Sequence, residues 1–195
     1  RAVDPTNGDV YRATNAYWVE TVNLAAELTP QPSSVPEPGA TVTFHINLIN
    51  TGSVPLTLTG LSTNQYGNIL DAGNSSVDPA HNTCLPQATL PTLQPYGGAY
   101  TCSFQARVAG QPSDFSVILT ATARDASGQT ATATKSATVR ITNVAAAINL
   151  SATADPPFIH PPSQVVTFRA RIDNTGEADT ITVTQLRDQF LGSLD

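Results

Sequence analysis

From Val42 to Leu48 the chain alternates strictly, with Val42, Phe44, Ile46 and Leu48 apolar and Thr43, His45 and Asn47 polar. A period of two belongs to a β-strand with one buried face. The alternation returns at Val166, Phe168, Ala170 and Ile172, then at Tyr100 to Val108, Phe115 to Ala123 and Thr130 to Thr142. Clusters of Gly, Pro, Asn and Asp separate these runs, and Asp125-Ala126-Ser127-Gly128 reads as a hairpin turn with Gly supplying a positive φ. About seven short strands in each stretch of roughly 120 residues predict an Ig-like β-sandwich, so the fold class is all-β with Greek-key-type connections.

The pattern is duplicated. A-T-V-T-F-H-I-N-L-I-N-T-G from Ala40 matches Q-V-V-T-F-R-A-R-I-D-N-T-G from Gln164, and Asn174-Thr175-Gly176 follows Asn50-Thr51-Gly52 by 124 residues. Leu56-Thr57-Leu58-Thr59 recurs as Ile181-Thr182-Val183-Thr184 at 125, and Asp4-Pro5-Thr6-Asn7-Gly8 resembles Asp125-Ala126-Ser127-Gly128. Self-similarity at such a period is the mark of tandem repeats. The expected organisation is closing strands of a preceding repeat over residues 1–20, a complete sandwich over 21–143, and the first half of a following repeat over 144–195. With no Met start and no sorting motif in view, the sequence reads as a window cut from a longer array, or as a subunit completed by its neighbours. The Pro-rich stretches Thr29 to Pro38 and Pro156 to Pro162 are expected to blunt a sheet edge before the Phe44 and Phe168 strands.

Composition narrows the function. Of 195 residues 15 are Pro and 12 are Gly, only 12% are charged, and Lys occurs once, at Lys135, which leaves little material for solvated helices. A net charge of -6 argues against nucleic acid or an anionic membrane as partner, and the longest apolar run is far below the roughly 20 residues of a membrane helix. Cys84 and Cys102 enclose a Pro-, Thr- and Gly-rich loop with no second pair for a zinc site. A disulfide is the favoured reading, implying an oxidising compartment, with two buried thiols as the alternative.

At this point the residues carry a resemblance. The run P-G-x-T-V-T-F ending in N-T-G, then L-T-L-T-x-L, the Cys-to-Cys loop and the closing T-A-x-A-R-D-x-x-G-Q-T-x-T-A-T resemble the bacterial conserved-repeat surface domains of Ig-like fold. Val183-Thr184-Gln185-Leu186-Arg187-Asp188 through Gly192 and Leu194 is similar to another segment of that family. The resemblance implies a secreted or cell-surface bacterial protein in which such domains serve as stalks, spacers or adhesive modules, without catalysis.

Candidate chemistry is sparse. His45 lies at the position Arg169 takes in the next copy, which suits a solvated face, and His81 and His160 belong to different loops. No metal or cofactor is therefore expected. Asp4 with Asp9, and Asp71 with Asp78, lack the dense spacing that wraps calcium and read as turn caps. Calcium at repeat joints stays open. No G-x-S-x-G elbow, Walker loop or dinucleotide fingerprint occurs, so the chain is not expected to be an enzyme. Tyr11, Tyr17 and Trp18 form a possible contact surface, since Trp18 stands where the repeat has Thr138; burial of Trp18 in its own sandwich is the alternative. Asn74-Ser75-Ser76 matches an N-glycosylation acceptor weakly. Two functions follow: an extracellular structural repeat forming a stalk, adhesin shaft or fibre whose partners are neighbouring repeats or subunits end to end, or a carbohydrate- or protein-binding module of a secreted protein.

Overall fold

A computed structural model describes residues 2–3, 5–7, 10–11, 19–85 and 89–194. A short hairpin comes first, β1 (Ala2–Val3) with β2 (Val10–Tyr11). There follow β3 (Leu24–Gln31), β4 (Ser34–Pro36), β5 (Gly39–Asn50), β6 (Leu56–Thr63), β7 (Gly67–Asn68), a single 3-10 turn at Pro79–His81, β8 (Thr92–Leu93), β9 (Ala99–Ala109), β10 (Ser113–Arg124) and β11 (Thr130–Thr142). Four more strands close the series: β12 (Ile148–Asp155), β13 (Thr167–Asn174), β14 (Arg187–Asp188) and β15 (Gly192–Ser193).

Strands β3 to β11 build one sandwich. One sheet has the order β3-β5-β9, and the facing sheet has the order β4-β11-β10-β6-β7, with β8 added to β6. The chain crosses between sheets from β5 to β6 and again from β9 to β10, the Greek-key pattern of an Ig-like fold. The opening segment divides between both sheets, since β3 pairs antiparallel with β5 while β4 pairs parallel with β11. The Pro-rich stretch around Thr29 to Pro38 does lie at sheet edges, since β3 is the outer strand of the small sheet and β4 the outer strand of the facing one, and it also carries the crossing between them. Thr29, Pro30 and Gln31 stay paired with β5, Val35 is buried, and the backbone between them carries the chain from one sheet to the other.

Alternation in sequence becomes burial in the fold. Val42, Phe44, Ile46 and Leu48 point inward from β5, and Phe104, Ala106 and Val108 do so from β9. They meet Leu56, Leu58 and Leu61 of β6, Val117, Leu119, Ala121 and Ala123 of β10, and Val139 and Ile141 of β11. Phe44 stacks on Phe104 at 5.1 Å between ring centroids, and Tyr66 stands tilted or edge-on to both, at 5.7 and 5.9 Å. Each aromatic pair adds about 0.5–1.5 kcal/mol beyond the area it buries. The Tyr66 hydroxyl donates to the Arg107 carbonyl at 3.2 Å, so the ring can sit in the core with its polar end satisfied.

The turn after β5 is held by one side chain. Asn50 is fully buried; its amide donates to the carbonyls of Val54 at 2.7 Å and Leu93 at 3.1 Å, and its Oδ1 accepts from the Gly52 N–H at 2.9 Å. Gly52 is required beside it, because a Cβ there would run into the Thr21 carbonyl. The second copy repeats this device: Asn174 Oδ1 accepts from the Gly176 N–H at 3.0 Å and its amide donates to the Asp179 carbonyl at 2.8 Å. Its turn, however, is exposed to solvent.

Two predictions follow from this packing. Asn50→Ala leaves two buried carbonyls and one buried N–H without partners and is expected to cost about 3 kcal/mol in urea unfolding, whereas Asn174→Ala, in a solvated turn, is expected to cost under about 1 kcal/mol. Burial pushes the Tyr66 phenol up to about 12. The neutral form is thus favoured in the folded chain, and its contribution to stability is complete below pH 10, the ordinary phenol value, and is lost as pH rises from there through about 12. Spectrophotometric titration is expected to show a late-ionising tyrosine that Tyr66→Phe removes.

Candidate functional site

The groups able to do chemistry do not converge. His45 is exposed on the outer face of β5, above a shallow polar groove lined also by Glu27, Asn47, Thr101 and Ser103, where the Asn47 amide donates to Glu27 Oε2 at 3.1 Å. His81 pairs with Asp78 at 2.7 Å, and this hydrogen bond, with the Ala80 N–H, holds the Asp78 carboxyl below its ordinary value. His160 is exposed in a distant loop. Among the described residues no three His, Cys, Asp or Glu side chains are placed to hold a metal ion. Asp71 Oδ1 accepts from the Gly73 N–H at 2.8 Å and Asp78 Oδ1 from the Ala80 N–H at 2.9 Å, both as turn caps. Asp4, Asp9, Tyr17 and Trp18 lie outside the described residues, and Tyr11 falls in β2 opposite Ala2. Asn74, the glycosylation candidate, is already engaged: its amide donates to the carbonyls of Tyr66 at 2.6 Å and Asn68 at 2.8 Å, and its Oδ1 accepts from the Ser76 N–H at 3.0 Å.

What the fold offers instead are sheet edges and one open face. The outer edge of β9 is covered by the loop before it. Asp78 N–H donates to the Gln105 carbonyl at 2.9 Å and Thr83 N–H to the Ser103 carbonyl at 2.8 Å, and a disulfide joins Cys84 to Cys102 beside them. Closing that loop stabilises by roughly 3 kcal/mol in the chain-entropy model. Asn82, also buried, orients the turn by accepting from the Cys84 N–H at 3.0 Å and donating to the Ile69 carbonyl at 2.9 Å.

The edge of β11 is guarded differently. Only Arg140, Ile141 and Thr142 pair with β4. Arg140 N–H donates to the Ser33 carbonyl, so the even-numbered residues direct their N–H and C=O groups to that side. Thr132, Thr134, Ser136 and Thr138 thus face outward along the edge with no strand hydrogen-bonded to them among the described residues, although β3 of the other sheet runs close to β11. At the centre of this stretch stands Lys135, the only lysine. It lies opposite the fully buried Leu119, at a position whose neighbours on the same face, Ala133 and Ala137, turn toward the core, yet Lys135 is exposed. A charge at an inward position on an open edge opposes addition of another strand, which would cover the ammonium group.

The open face belongs to residues 146–194. Strands β12 and β13 pair with Ile148 opposite Asn174, as β3 and β5 pair with Leu24 opposite Asn50, a shift of 124 residues on both strands. Arg187 opposite Ser193 and Asp188 opposite Gly192 reproduce Ser62 opposite Asn68 and Thr63 opposite Gly67 at a shift of 125. Hydrogen bonds repeat too: Ile69 N–H to the Leu61 carbonyl and Leu194 N–H to the Leu186 carbonyl both measure 2.9 Å. Burial does not repeat. Phe44, Leu58 and Ile69 are each 0% exposed, while their counterparts Phe168, Val183 and Leu194 are 66%, 51% and 50% exposed. Residues 181–186, the counterpart of β6, are not a strand at all, because β6 takes its ladder from β10 and nothing among the described residues stands in that place.

Comparison with family models finds no match, and comparison with curated proteins finds none. Among solved structures the chain is similar to a native alpha-2-macroglobulin from Escherichia coli spanning domain MG7 to the C-terminus, at 16% identity and a TM-score of 0.44, over 68% of this chain and 19% of that one. It is also similar to the PapD-like domain 7 of human CEP192, at 12% identity and a TM-score of 0.38, over 70% of this chain and 98% of that one. Likenesses of this size say nothing of activity; the Ig-like assignment rests on the strand order and register described above.

Lys135→Val is expected to leave the sandwich folded and to slow amide exchange at Thr132, Thr134, Ser136 and Thr138 as protein concentration rises, through edge-to-edge pairing. Lys135→Arg is expected to exchange as the unaltered chain does at every concentration.

Proposed function

We propose that this chain is a non-enzymatic structural segment of a secreted or cell-surface bacterial protein, in which Ig-like sandwiches joined end to end form a stalk, adhesin shaft or fibre. The observation that carries this reading is the duplicated register: one complete sandwich and the opening strands of another built on the same pairings, 124 to 125 residues apart. A scaffold repeated at fixed period serves length and spacing, since each unit contacts only its neighbours. The Cys84–Cys102 disulfide suits an oxidising compartment. The bacterial conserved-repeat surface domains that the sequence resembles are used in the same manner. Exposed apolar side chains on the second unit supply the end-to-end contact, each worth roughly 1.5–3 kcal/mol once buried.

Small-angle scattering from the protein in its native assembly tests the reading. An elongated particle whose length grows by one sandwich per repeat is expected; a compact globular particle contradicts it.

A further inference from the structure

The open face of the second unit has a defined shape, and the first unit states what fills such a shape. A cleft of about 740 Å³ is lined by Leu150, Ala152, Phe168, Leu186, Leu191 and Leu194, among others. The counterparts of Phe168, Leu186, Leu191 and Leu194 are Phe44, Leu61, Tyr66 and Ile69, all in the closed core of the first sandwich. There the space is occupied by β9, which lies antiparallel to β5 with Phe104 directly opposite Phe44, and by β10, which gives β6 its ladder. Because β12 and β13 hold the same register as β3 and β5, the free edge of β13 presents the same row of N–H and C=O groups that β5 offers to β9.

We propose that this face is a strand-docking site, and that its occupant is a segment of a further repeat carrying the pattern of residues 71–143: an antiparallel strand of the form aromatic-x-Ala-x-Val set against β13 with its aromatic ring on Phe168, and an alternating strand like β10 against residues 181–186. This rests on the repeat-array reading and names what completes the second unit.

The proposal separates two kinds of exposed aromatic. Phe168, Leu191 and Leu194 correspond to buried residues and become covered when the unit closes. Phe158, 80% exposed, stands at the position of Ser34, which stays exposed in the finished sandwich, and it does not line the cleft. A repeat-type segment therefore covers the first group and leaves Phe158 in solvent. An unrelated apolar partner, or association of molecules through the whole patch, covers both.

Two measurements test this. In an extended chain with a copy of residues 71–143 placed after Asp195, amide exchange at Thr167–Asn174 and at residues 181–186 is expected to slow at least about a hundredfold, as strand amides do on entering a cooperative core. Phe168→Asp in that chain is expected to return the rates to those of the unextended protein. In the native assembly, hydroxyl-radical footprinting is expected to show Phe168, Leu191 and Leu194 protected and Phe158 reactive. Unchanged exchange in the extended chain overturns the proposal, as does joint protection of Phe168 with Phe158. Either result alongside an elongated scattering profile rejects the docking segment while leaving the array standing.

Discussion

The structure depends on one contact between sheets, the meeting of Phe44, Phe104 and Tyr66. Phe44 comes from the central strand of the small sheet, Phe104 from its neighbour, and Tyr66 from the turn that ends β6 in the facing sheet. Neither sheet can bury its apolar face alone, and the rings are wide enough to bridge the gap between the two layers. Phe115 extends the cluster from β10, with its ring 6.4 Å from Tyr66. The second unit shows the same constraint from the other side. Phe168 has the backbone register of Phe44, but among the described residues no strand like β9 pairs beside it, and it is 66% exposed. Strand pairing is local to two neighbours, whereas burial needs both layers.

The same logic governs the edges. A sandwich always has strands at its margins, and here the margins are treated according to what lies next to them. The edge of β9 is closed by a loop tied down at Cys84 and Cys102, that of β11 carries Lys135 at an inward position, and β4 pairs with only the last three residues of β11. By contrast the edge of β13 has neither a tethered loop nor an inward lysine. Its inward residues Phe168, Ala170 and Ile172 are apolar, which is the property the proposed docking of a further strand relies on.

Much of this was legible in the sequence. Alternation fixed the strands β5, β9, β10, β11 and β13, because period two is a property of the strand itself and survives any packing. The Asn-Thr-Gly repeat at 124 residues announced the duplicated turn, whose side-chain cap is local. Other features could not be read. The prolines before Phe44 announced sheet edges, but not that residues 34–36 form a strand paired in parallel with a segment more than a hundred positions away. Asn74 offered a glycosylation acceptor and proves to be a turn clamp, since its partners at Tyr66 and Asn68 are set by the fold of β6 and β7. Ile181 to Thr184 matched the β6 strand by residue type but take no strand geometry, because a ladder needs a partner strand that propensity cannot supply. The inward position of Lys135 likewise emerges only from the register, which sets it opposite Leu119. The sequence by itself thus determined the long alternating strands, which face of each is apolar and how the units repeat; these are matters of local geometry. Only the tertiary structure decided which strands meet, where the edges lie and which apolar face stays uncovered, because those depend on contacts between residues far apart in the chain.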